Sequence, residues 1–124
     1  MNKNKSKNNN EFLNVIIESI KEKKGKNILQ ISLSKLENSI ADNFIICHAD
    51  STTQVEAIAD NIERKIKEKF SVNVKNIEGK RNGEWVLIDF FDIVVHVFQA
   101  PVRNTYNLEG LWADGEFVYH EDVA

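Results

Sequence analysis

The sequence is sparing with several residue types that carry particular chemistries. It has one cysteine, Cys47, so no internal disulfide can form, and a reducing, cytoplasmic setting is expected. It has one proline, Pro101, and only five glycines, none grouped into a loop that could cradle a phosphate. No apolar run approaches the roughly 18 residues needed to cross a bilayer. The basic start MNKNKSKNNN leads into no apolar stretch with a small-residue cleavage site, so a secretory signal is not expected. There are no internal repeats and no linker marking a second domain. With 124 residues, 42% apolar and 28% charged, the chain suits one soluble globular domain.

Positive charge is scarce in one region. From Glu84 to the end, Arg103 is the only Lys or Arg, against eight Asp and Glu, a net charge of −7 within a chain total of −3. A surface without Lys or Arg is a poor one for phosphate backbones and a good one for a basic protein. The same region holds both tryptophans and, between Glu84 and Trp112, six of the eleven aromatic residues. It is either a core or a docking face.

Periodicity orders the elements. The first ten residues, rich in Lys and Asn, are expected to form a disordered basic tail. Leu13, Ile16, Ile17 and Ile20 recur at helical spacing, with Gly25 as the stop. Asn27 to Leu33 reads as a strand with Leu29, Ile31 and Leu33 on one face. After a polar turn, Ser34 to Ser39, comes a strand over 42–48 whose centre, Phe44-Ile45-Ile46-Cys47, is apolar on both faces, as in a central strand. Ser51-Thr52-Thr53-Gln54 begins a helix, with capping-box spacing both from Ser51 to Gln54 and from Thr53 to Glu56, and its inner stripe is Val55, Ile58, Ala59, Ile62, Ile66 and Phe70. Val72, Val74 and Ile77 suggest a third strand. Strands at 84–89 and 92–98 follow, then a helix opened by Pro101 and packed through Tyr106, Leu108, Leu111 and Trp112. Residues 115–124 read as an acidic tail. The expected fold is an α/β single domain over 11–114, with a mixed sheet of about five strands packed by helices.

With Phe90 and Phe91 as a two-residue turn, Asp89 would face Asp92, and Trp85 would face His96 across a hairpin. Trp85, Leu87, Asp89, Asp92, Val94 and His96 then share one face. Val86, Ile88, Ile93 and Val95 share the other, which is core. The first face has the make-up of a protein-binding surface around an aromatic anchor; covering by the last helix, or pairing with a second copy in a homodimer, are the alternatives. For catalysis the residues offer little. Cys47 and His48 point to opposite faces of a strand, and His48, His96 and His120 match no zinc spacing. Asp89 with Asp92 could hold a divalent cation in a metal-dependent nucleotidyltransferase-like enzyme, but no phosphate loop or basic residue lies near them. No cofactor is expected.

One ordered set of segments is more specific. It runs from the early helix and the Asn27–Leu33 strand through Asp42-Asn43-Phe44-Ile45-Ile46, Gln54-Val55, Ala59 and Glu78-Gly79. It continues with Trp85-Val86-Leu87-Ile88-Asp89, Asp92-Ile93-Val94-Val95-His96-Val97-Phe98, Arg103, Tyr106-Asn107-Leu108-Glu109 and Leu111-Trp112. In this order the chain resembles the Iojap-like ribosomal silencing factor family (RsfS). The resemblance implies a fold similar to nucleotidyltransferases without their catalytic motif, and a function by binding rather than catalysis. It implies attachment to the large ribosomal subunit through basic ribosomal protein fourteen, which blocks joining of the small subunit and represses translation when nutrients are short. Carried over by position, Trp85, Leu87, Asp89, Phe90 and Asp92 would meet the partner, while His96, Arg103, Tyr106 and Trp112 would fix the hairpin against the last helix. Two positions depart from the family pattern: Phe91 stands where a glycine is usual between the two acids, and Gly110 where a charged residue is common.

Overall fold

In the computed structural model, residues 2–33 and 41–122 are described, with side chains from Asn10 onward. The elements are α1 (Asn2–Glu22), β1 (Lys26–Ser32), β2 (Asn43–Ala49), α2 (Thr52–Phe70), β3 (Asn76–Glu78), β4 (Trp85–Asp89), β5 (Ile93–Gln99), α3 (Ala100–Tyr106), α4 (Leu108–Leu111) and β6 (Glu116–His120). The strands form one mixed sheet in the order β3-β4-β5-β2-β1-β6. Only β2 and β5 run parallel; the other neighbours are antiparallel. The class is the expected one, with six strands among the described residues where about five are expected.

β2 sits at the centre because Phe44, Ile45, Ile46 and Cys47 give it two apolar faces. On one face, Ile45 and Cys47 pack with Val86, Ile88, Val95 and Val97 against the inner stripes of α1 and α2. On the other, Phe44 and Ile46 pack with Leu29, Ile31, Leu33, Val94, Phe98 and Leu108. The helix layer on the first face is continuous, whereas the short α3 and α4 cover only part of the second. That asymmetry positions the candidate site.

The two long helices are locked at one end. Ser51 caps α2 by accepting from the Gln54 N–H at 3.1 Å. The Gln54 side chain donates to the Lys23 and Lys24 carbonyls, which joins the start of α2 to the end of α1. The stop after α1 is not the expected glycine conformation. Lys24 takes the left-handed backbone (φ 61°), and Gly25 is needed because a Cβ there would stand 2.3 Å from Ile20 Cγ2.

Three boundaries differ from the sequence reading. α1 begins at Asn2 and includes most of the stretch expected to be a disordered tail; the helix nucleated by the apolar stripe from Leu13 extends back through it, although five Asn and one Ser there are poor helix formers and only the three Lys favour it. The segment over 115–124 is not simply a tail, since Glu116–His120 forms the edge strand β6 on β1, with Phe117 at the margin of the second core. Val72 and Val74 pack against the helix-side core, but the strand begins only at Asn76. The turn expected over Ser34 to Ser39 lies outside the described residues.

Candidate functional site

β4 and β5 pair with Trp85 opposite Phe98, Leu87 opposite His96, and Asp89 opposite Val94. The register differs by two residues from the one expected, because the tip is built differently. Phe90 joins the ladder, its N–H donating to the Ile93 carbonyl at 2.9 Å. The turn is Phe91-Asp92, with the Asp92 N–H donating to the Phe90 carbonyl at 3.1 Å around Phe91 at φ 76°, a γ-turn of the rare positive-φ form. A two-residue shift preserves which side chains share a face. Trp85, Leu87 and Asp89 therefore still lie on the face away from α1 and α2, with Val94, His96 and Phe98 beside them, while Val86, Ile88, Ile93 and Val95 are buried as expected.

Trp85 is half-buried in a cage of rings. Its centroid lies 5.0 Å from Phe98, 4.6 Å from Tyr106 and 5.9 Å from His96. Its indole Nε1–H donates to His96 Nδ1 at 3.1 Å. An indole can only donate, so His96 must accept on Nδ1 and carry its proton on Nε2, which is buried without a hydrogen-bond partner. The Phe44 ring stands edge-on to the imidazole at 4.8 Å. Burial pushes the His96 pKa down from 6.5 to about 4, so the ring is neutral at physiological pH.

That shift has a consequence for stability. A histidine whose pKa falls on folding contributes stability in full above its unfolded value of 6.5, and the contribution drains as pH falls from there to about 4. A fall of that size corresponds to about 3 kcal/mol. Urea denaturation between pH 7 and 4 should show this loss, and His96→Gln should make the acid limb shallower, leaving the part due to His48 and His120, whose pKa values burial also lowers. An equally steep acid limb in the variant would refute the assignment.

The remaining candidate residues divide. Leu87 and Asp89 are half-exposed on β4, and Asp92 is exposed at the turn. Asp89 does not face Asp92 across the hairpin: its Oδ1 accepts from the Phe91 N–H at 2.8 Å, so the acidic pair envisaged for a metal is not assembled. Among the described residues no group of three or more His, Cys, Asp or Glu is placed to hold a metal ion. Phe90, expected to meet a partner, points the other way. It is 6% exposed and stands against Phe12 of α1, ring centroids 5.3 Å apart, because joining the ladder turns it to the helix side. Phe91 takes the exposed position instead, at 61%.

The supporting residues also divide. Tyr106 and His96 hold the hairpin to α3 through Trp85. Arg103 and Trp112 fasten the helices to the centre of the sheet rather than to the hairpin. Buried Arg103 donates from its terminal nitrogen to the Asn27 carbonyl at 2.7 Å and bonds His48 Nδ1 at 3.0 Å, while its Nε meets Glu109 Oε2 at 3.3 Å. Burial, with the Arg103 charge behind it, lowers the His48 pKa. Trp112 packs edge-on against Phe44 at 5.4 Å. The single helix expected after Pro101 breaks at Asn107, which takes φ 47° and caps α4 through its side chain; a Cβ on Gly110 would stand 2.6 Å from that amide. Leu111, expected to pack, is 71% exposed. An apolar side chain in a four-residue helix gives no periodicity from which its outward direction could be read.

The geometry agrees with what comparison finds. The family model described as "Ribosomal silencing factor during starvation" matches residues 6–124. A ribosomal silencing factor RsfS of Halalkalibacterium halodurans is 38% identical over 115 residues, which cover 93% of this chain and 97% of that protein. The chloroplastic protein Iojap of Arabidopsis thaliana is 41% identical over 71 residues, 57% of this chain and 29% of that one. A crystal structure of a Chromobacterium violaceum protein superposes with a TM-score of 0.79 at 39% identity, covering 84% of this chain and 85% of the other.

Proposed function

The chain belongs to the ribosomal silencing factor family, and we propose that it silences translation by binding the large ribosomal subunit through basic ribosomal protein fourteen, so that the small subunit cannot join. The observation that carries this reading is the half-buried Trp85 on a sheet face that α3 and α4 leave partly open. A large ring already held in one orientation by Phe98, Tyr106 and His96 loses little side-chain entropy on docking, which is what an anchor residue needs. Leu87 extends the apolar centre, Asp89 and Asp92 give it an acidic border, and a net charge of −7 from Glu84 onward suits a basic partner. In this reading the protein acts by occupancy, not by catalysis, and works in the cytoplasm, where subunits meet.

Sedimentation through sucrose gradients with separated subunits tests the proposal. The protein should travel with the large subunit and not the small one, and its presence should reduce the yield of joined ribosomes. Asp92→Lys, an exposed change, should weaken that association by roughly tenfold at low salt while leaving the melting temperature unchanged, since it sets like charges against each other at the border. Wild-type protein that stays at the top of the gradient would end the proposal.

A further inference from the structure

We propose that Phe91 is an additional docking residue whose ring receives a cationic side chain of the basic partner; the inference rests on the docking reading above and deepens it. Phe91 stands at the hairpin tip with φ 76°, a backbone region that glycine enters freely and a side chain with a Cβ enters under strain. Three bonds hold it there. Its N–H donates to Asp89 Oδ1 at 2.8 Å, the Asp92 N–H to the Phe90 carbonyl at 3.1 Å, and the Phe90 N–H to the Ile93 carbonyl at 2.9 Å. The strain secures no burial, because the ring remains 61% exposed. A large apolar side chain that is both strained and solvent-facing is poorly explained by stability, and an observed backbone outlier of this kind points to function.

The surroundings say what the ring would take. Lys75 Nζ lies 5.1 Å from its centroid, so the ring already takes a cation on one face, and 61% of the side chain remains exposed. The turn also carries Asp92, exposed, and Asp89, half-exposed, and among the described residues Lys75 supplies the one cation over the ring. A guanidinium can lie flat on an aromatic face while its N–H groups reach a neighbouring carboxylate, so an arginine of the partner fits this tip best. Asp89 follows Trp85 and Leu87 at alternate positions of β4, so the tip continues the proposed docking face rather than forming a separate one.

Strain and recognition make opposite predictions for one substitution. Phe91→Gly removes the strain and the ring together, so the full-length variant should melt at a higher temperature and yet bind purified large subunits roughly tenfold more weakly. Titration of wild type, Phe91→Gly and Trp85→Ala against the same subunits, with a thermal melt of each, separates the possibilities. If Phe91→Gly binds as tightly as wild type while Trp85→Ala is impaired, Phe91 is only a turn residue with a lysine over it and this inference is overturned, with the docking reading intact. If wild type does not bind, or Trp85→Ala binds as well as wild type, the docking reading fails and this inference with it. A lower melting temperature for Phe91→Gly would also overturn it, by showing that the ring supports the fold.

Discussion

Trp85→Ala should lose binding to the large subunit by about a hundredfold or more, roughly 3 kcal/mol, while the domain stays folded. Both halves of that expectation come from the position of the side chain. The indole is half-buried, so its removal costs only part of what a core ring would, about 2 kcal/mol in stability. The sheet beneath it is unaffected, because Val86 and Ile88 on the opposite side of the same strand carry the packing against α1 and α2. What is lost is the outward surface: the ring itself, the support it gives Tyr106, and the donor to His96 Nδ1. Trp85→Phe isolates the last of these, since it keeps a ring against Phe98 and leaves the imidazole without its donor. It should bind between the two. Affinities from sedimentation or fluorescence titration, read beside circular dichroism and thermal melts, decide the matter. A folded Trp85→Ala protein with wild-type affinity would exclude this face as the docking surface.

The face could be read in the sequence because it depends on parity, not on exact pairing. Alternation along 85–89 puts Trp85, Leu87 and Asp89 on one side, and any even shift in register keeps Val94, His96 and Phe98 beside them. The turn was illegible for a corresponding reason. Phe90 and Phe91 are chemically identical, and only backbone bonding determines that the first is buried on Phe12 and the second faces solvent. β6 was passed over because Asp114, Glu116, Glu121 and Asp122 give the stretch around it an acidic character, although Phe117-Val118-Tyr119 has the composition of a strand; pairing with β1 and the inward side of Phe117 make it one. The partners of Arg103 were beyond reach as well. Asn27 lies 76 residues away and His48 lies 55 away, and no local pattern links them. The family motif marked Arg103 as important, but only the structure shows that it is buried, and at what it points.

Arg103→Met should therefore be the most damaging single change for the fold near the site, at about 3 kcal/mol. Arg103 is 7% exposed, and its guanidinium holds three groups at once: the Asn27 carbonyl at the start of β1, the His48 ring on β2, and the Glu109 carboxylate on α4. Methionine fills much of the space, so the loss comes mainly from partners left behind rather than from a cavity. Glu109 suffers most. Its Oε1 is already buried without a hydrogen-bond partner, and without Arg103 its Oε2 loses its cation. The Glu109 side chain keeps 29% exposure, which limits the penalty to the lower end for a broken buried pair. Removing the carboxylate charge as well, in Arg103→Met with Glu109→Gln, should restore part of the stability, a non-additivity that simple loss of packing would not produce. Urea midpoints of the two single variants and the double variant measure it. The effect should extend to binding, because Arg103 fixes the helix that carries Tyr106, and Tyr106 is one wall of the Trp85 cage. At a temperature where Arg103→Met is still folded, its affinity for the large subunit should fall between wild type and Trp85→Ala. An unchanged urea midpoint would mean that the Arg103 network does not hold α3 and α4 to the sheet.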